Sequence, residues 1–379
     1  MKHLIIFTVL FISISSFGYE PELIVRADKS NPKALPVWSK MPSMSPSCSN
    51  TGLAVKYLSL FGDEKLYPAV SMFSKNNESH SKPFESDLSV SDLFITNNQS
   101  LIFALNYMGG TKGVFELDSK GTLTQKTNAS DFPRVQAMSR PSLLDGKVLY
   151  RALNEDGLHT IFHGKEKILD EAGDVAYLYL PTVKNNQVAL KVGLGLPGEV
   201  SQTNKDKILS ITNGKVETIS VDADLDSNSS FLGFDNSPIP DGDGGVAFIA
   251  EHKVHGRSLW HYKNKKMNMI FSSSKEEGTL EYFSPAVNTS GSIVFRIITN
   301  KRISVMAWDS KSQKLVRLME QGQTVLTNEE NTRVIDRPRW PAFSGKPCIA
   351  DNGHVYINAV LENSINFENK GSGIFKIDL

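Results

Sequence analysis

Histidine and aspartate are the residues of this 379-residue sequence whose spacing first suggests chemistry. Three histidines, His252, His255 and His261, crowd the stretch EHKVHGRSLWH. A bound metal needs several such nitrogens converging on one point. This stretch reads as a hairpin at the rim of a repeat, so surface histidines are expected rather than a zinc site. His159 and His163 share a strand face, but four extended residues separate them by roughly 13 Å, beyond the reach of one shared ion. The segment VDADLDSNSS sets Asp222, Asp224 and Asp226 at alternate positions, the spacing with which calcium loops aim oxygens inward. Ser227 and Gly233 stand where an EF-hand needs glycine and glutamate, so that loop is not supported. Asp241 and Asp243 in IPDGDGG fall at a turn, where aspartate caps backbone N–H groups without an ion. Calcium is the better metal candidate, but solvated acidic turns are the favoured reading and no cofactor is expected.

Covalent catalysis leaves no signature. There is no Gly-x-Ser-x-Gly elbow, no room for an added hydrolase domain, and no aspartate-box or tryptophan-docking repeat. Cations and aromatics gather instead in three segments, LPVWSKMPSMSP, DFPRVQAMSRP and RVIDRPRWPAFSGKP. They supply Trp38, Lys40, Phe132, Arg134, Arg140, Arg333, Arg337, Arg339, Trp340 and Lys346. Arginine forks suit carboxylates and phosphates, and tryptophan suits sugar rings or apolar side chains. The alternative is that Trp38, Phe132 and Trp340 pack between neighbouring repeats while the arginines pair with Asp131 and Asp336.

The elements that position these residues follow from a repeat. Pro141 precedes Asp145-Gly146 and then Val148 and Tyr150; Pro181 precedes Asn185-Asn186 and then Val188 and Leu190. Leu93 takes the proline's place before Asn97-Asn98, and Pro46, Pro238, Pro285 and Pro347 lead turns one residue longer, ending at Gly52, Gly244, Gly291 and Gly353. The seven anchors are spaced by 47, 48, 40, 57, 47 and 62 residues, a period of solenoid or propeller size. Each unit reads as four short antiparallel strands with no amphipathic helical window, the pattern of a β-propeller blade. The chain ends on a third strand, GSGIFKIDL, and ELIVRAD near its start has no blade of its own. This N-terminal strand is therefore expected to complete the last blade and close the ring, since open blades would expose unpaired edges.

The repeat SPAVNTSGSIVFRI, with GSGIFKIDL, resembles TolB-like propellers and, more closely, exported bacterial tandem-repeat proteins of unknown function. The resemblance covers nearly the whole mature chain. It implies a seven-bladed propeller and leaves activity open, because this fold hosts binding, scaffolding and catalysis alike.

The sequence MKHLIIFTVLFISISSFG has the basic, apolar and small-residue layout of a secretory signal, giving residues 1–18 as signal peptide and 19–379 as one propeller domain. No later run approaches the roughly 20 apolar residues of a membrane span, so a soluble periplasmic or secreted protein is expected. The chain holds 41 basic and 41 acidic residues, and loss of Lys2 leaves a net charge near −1, which speaks against nucleic acid. Cys48 and Cys348 fall on the innermost strands of the first and last blades. They form either a ring-closing disulfide or two reduced, buried thiols on strands too far apart to bond. The sequence favours a non-enzymatic binding or scaffolding propeller whose partner is a protein or an anionic cell-envelope polymer. The alternative is a propeller-type polysaccharide lyase or hydrolase with its site at the channel mouth.

Overall fold

The computed structural model describes residues 19–27, 39–40, 45–61, 65–74, 78–128, 138, 140–153, 156–199, 205–235, 237–274, 278–327, 329–337 and 341–379. They form seven antiparallel sheets arranged as the blades of a β-propeller. Numbered in chain order, the innermost strands are Ser47–Ser49, Phe94–Ile95, Ser142–Leu144, Thr182–Lys184, Ile239–Pro240, Ala286–Val287 and Cys348–Ile349. A tight turn follows each. In blade 3 it is Asp145-Gly146, with φ of 47° and 75°, the left-handed pair a two-residue hairpin requires and glycine adopts without strain.

The second strand of each blade lies between the inner edge and the third strand, with a neighbouring blade on either face. In blade 4 all eight residues of Gln187–Leu194 are buried, and strands covered on both faces read as continuous apolar runs. Seven apolar clusters result, each joining side chains of two adjacent blades. Stability is thus distributed around the ring.

The innermost edge differs from the expectation. Among the described residues of six blades a second short strand shares it, pairing with the far half of the same second strand: Ser39–Lys40, Ser89–Val90, Val175–Leu178, Phe231–Phe234, Thr279–Leu280 and Thr332–Val334. The sequence suggests plain connections there. Each long second strand outruns its innermost partner and would leave backbone groups unpaired, so the incoming chain fills the gap.

Closure follows the sequence expectation. Glu22–Ala27 pairs with Asn369–Asp378 as the outer strand of blade 7. Arg26, only 2% exposed, meets Glu329 at 3.2 Å. Cys48 and Cys348 are disulfide-bonded, with Cα atoms 6.0 Å apart, so the inner strands of blades 1 and 7 do lie within bonding range.

The repeat also carries a clamp. One position of the second strand is Lys56, Arg151, Lys191 or Arg296 in blades 1, 3, 4 and 6, as their pairing registers show. Each of these cations donates to a backbone carbonyl of the next blade: Lys56 to Ser91 at 3.2 Å, Arg151 to Leu178 at 2.6 Å, Lys191 to Phe234 at 3.0 Å and Arg296 to Gly345 at 2.6 Å. In blade 2, Asn106 plays the part through paired bonds with the Met138 backbone. The basic residues of SIVFRI, KVLYRAL and VALKV therefore join blades.

Candidate binding site

Because every second strand runs away from the tight turns, the described residues of the hairpins into the third strands and of the segments leading to the next blade lie on one face, here called upper. The channel between the innermost strands holds a cavity of about 430 Å³ that runs from this upper end, lined by Ser45, Asp92, Arg140, Ser142 and Lys346, to the lower turns at Gly146 and Asn185. Arg140 and Lys346 each stand immediately before an anchor proline, which holds the chain extended and delivers them to the mouth.

One carboxylate serves three cations at this mouth. Asp92 accepts from Lys56 at 3.4 Å through Oδ1 and from Arg140 at 3.4 Å through Oδ2. Burial acts to raise the Asp92 pKa, but Arg140, Lys56 and Lys346 outweigh it and hold the carboxyl below its usual range. Burial pushes Lys346 down to about 8, reinforced by the like charge of Arg140 and only partly offset by Asp92. At the lower end, Lys184 meets Asp351 at 2.6 Å, a charge-matched pair.

The residues indicated by the sequence are distributed unevenly. Trp38, Phe132, Arg134, Arg339 and Trp340 lie outside the described residues, as does Asp131. Arg333 and Arg337 come together on Glu362, a fully buried carboxylate, at 2.9 Å each. Asp336 pairs with Arg302 at 3.1 Å and takes a different cation from those the sequence suggests. Arg140 belongs to the Asp92 cluster. Glu362 is the residue the sequence reading missed; nothing in its spacing distinguishes it from any strand glutamate.

The metal candidates resolve into packing and caps. His252 stacks on His255 with ring centroids 4.6 Å apart and on Trp260 at 5.2 Å, while His261 bonds Asp241 at 3.3 Å. Asp222 accepts from the backbone N–H groups of Asp206 and Leu225, and Asp226 from that of Asn228. Asp241 caps Asp243 and Gly245. Among the described residues no group of three or more potential metal ligands converges.

A histidine with a carboxylate and an arginine does assemble between blades 3 and 4. Glu171 accepts from His159 Nδ1 at 2.8 Å and from the backbone N–H groups of His159 and Leu178. The His159 ring stands edge-on to Tyr177 with centroids 5.0 Å apart, and Arg151 donates to the Tyr177 hydroxyl at 3.3 Å. Burial, followed by the Arg151 charge, holds the His159 pKa below the ordinary value despite Glu171.

Exposed apolar surface is concentrated on the upper face. Twelve of the fourteen exposed large apolar side chains among the described residues lie on its hairpins, strand ends and connections, among them Met108, Leu196, Val254, Tyr282, Leu326 and Ile365. Tyr282 and Phe283 carry cations over their rings, Arg257 at 4.8 Å and Arg296 at 4.3 Å.

No protein-family profile matches the sequence, and no curated protein matches it. Solved structures do resemble it. The β-propeller domain of the Trilobed protease from Pyrococcus furiosus is 12% identical with a TM-score of 0.57, over 90% of this chain and 95% of that one. A puromycin-hydrolyzing peptidase of Mycobacterium tuberculosis is 8% identical with a TM-score of 0.53, over 92% of this chain and 55% of that one. The acylaminoacyl peptidase of Pyrococcus horikoshii is 12% identical with a TM-score of 0.51, over 92% and 54%. The likeness establishes the propeller fold. This chain spans about half the length of the latter two peptidases, and activity does not transfer at such identity.

Proposed function

We propose that this protein is an exported binding or scaffolding propeller that engages a partner through its upper face. The observation that carries the reading is that twelve of the fourteen exposed large apolar side chains among the described residues lie on that one face, where a partner could cover several of them at once. It favours a protein partner; an anionic cell-envelope polymer is the other occupant the experiment distinguishes. Trp38, Arg134, Arg140, Arg339 and Trp340 contribute cations and aromatic platforms in this reading, whereas Arg333 and Arg337 are engaged by Glu362. The signal-like residues 1–18, the disulfide and the resemblance to TolB-like and exported tandem-repeat proteins support a periplasmic or secreted location.

The test is capture from envelope extract with the mature protein as bait. Replacing Tyr282, Phe283, Arg339 and Trp340 together by serine is expected to abolish capture. An unchanged set of captured molecules would overturn the reading.

A second reading, a propeller-type polysaccharide lyase or hydrolase, is favoured by the His159–Glu171 pair. The bond to Glu171 orients the ring with Nε2 as the acceptor, the arrangement of a general base. If it holds, wild-type protein degrades an envelope polysaccharide and His159→Ala does not; if neither does, the reading fails.

A further inference from the structure

Three hydrogen-bond donors line the upper end of the channel without an acceptor among the described residues. Arg140 Nη1 and Ser142 Oγ are buried and unpartnered, and Ser142 is only 3% exposed. These residues stand two apart on extended chain, so their side chains share a face. Lys346 enters the same cavity from blade 7, and its ammonium makes no hydrogen bond to a described residue. Buried donors left without acceptors are rare and costly.

The charges are as unbalanced as the hydrogen bonds. Lys56, Arg140 and Lys346 share one carboxylate, and both contacts of Arg140 reach the same Asp92 oxygen at 3.4 Å. Charge-assisted bonds normally close to about 2.7–2.9 Å, so Asp92 answers only part of this positive charge. Partly desolvated, uncompensated cations are unfavourable until an anion joins them. The matched Lys184–Asp351 pair at the lower end confines the imbalance to the upper mouth.

We infer that the upper end of the channel is an anion seat that takes one carboxylate or phosphate group of a ligand between Arg140, Ser142 and Lys346, with Asp92 holding the arginine in place. The inference rests on the reading that the upper face binds, and it names the chemistry at that face's centre.

The test uses purified mature protein and two probes, inorganic phosphate and succinate, titrated calorimetrically at an ionic strength held constant with sodium chloride. Saturable binding of either probe is expected, and the preferred probe identifies the group. Lys346→Met and Arg140→Gln should each weaken binding by about tenfold or more, as loss of a charge-assisted bond implies. Ser142→Ala removes only a hydroxyl, keeps the fold, and should weaken it a few-fold. Arg302→Gln, at the exposed pair with Asp336, should leave binding unchanged. Absence of saturable binding for both probes overturns the proposal, and so does binding that Ser142→Ala and Lys346→Met leave intact. Because only defined ions are present, this result is read separately from partner capture.

Discussion

Asp241 shows how a turn residue acquires more than one task. Its carboxylate is fully buried, caps two backbone N–H groups and faces His261 and Lys263, the latter at 3.0 Å. Burial acts to raise its pKa, but bonds to His261, Asp243, Lys263 and Gly245 prevail and lower it from 3.8 to about 2. A carboxyl with a depressed folded-state pKa stabilises the protein above its unfolded value and loses that contribution as pH falls through the folded value. The window here runs from about pH 4 down to about pH 2, and the contribution is about 2 kcal/mol. Urea unfolding at pH 6 and pH 2 should show Asp241→Asn losing less stability across that interval than the wild type. Equal losses would mean that Asp241 is not the titrating group.

At the scale of strands and blades, the junction is the energetic unit. The clamp position turns a repeat residue into a bond with the next blade, and Arg296 adds an ion pair with Glu281 at 2.5 Å. Removing one partner of a buried pair leaves the other charge uncompensated and costs about 3–5 kcal/mol, whereas an exposed pair such as Arg302–Asp336 contributes at most about 1 kcal/mol. Arg296→Ala should therefore lower the urea midpoint far more than Arg302→Ala; similar midpoints would refute the clamp. The split inner edge belongs to the same scale. Its upper strands are only two to four residues long and carry no strong alternation, so their pairing follows from the length of the second strand they meet.

For the whole molecule, closure adds to the stability distributed over the junctions. A strand from the start of the chain pairs with the last, and a disulfide spans a sequence separation of 300 residues between the first and last blades. In the loop-entropy model such a cross-link disfavours the unfolded chain by about 5–6 kcal/mol, an upper value. Cys48→Ser with Cys348→Ser should lower the unfolding midpoint substantially. Unreduced wild-type protein should show no thiol modification by mass spectrometry; reaction of both cysteines would refute the bridge.

The seven units, the turns, the closing strand and the positions of both cysteines are legible in the sequence. These depend on short-range spacing, because strand alternation and turn conformation are properties of a few consecutive residues. It also indicated Arg140 and Lys346 without separating them from Arg333 and Arg337. Folding sets them apart, because Glu362 neutralises the latter two while the channel mouth leaves Arg140 and Lys346 with a share of Asp92. It likewise made the repeat's basic residue a clamp and joined Glu171 to His159. One cause underlies all three. A charge is defined by its partners, and here they come from an adjacent blade or from another strand of the same blade, 12 to 29 residues away, where no local spacing records them.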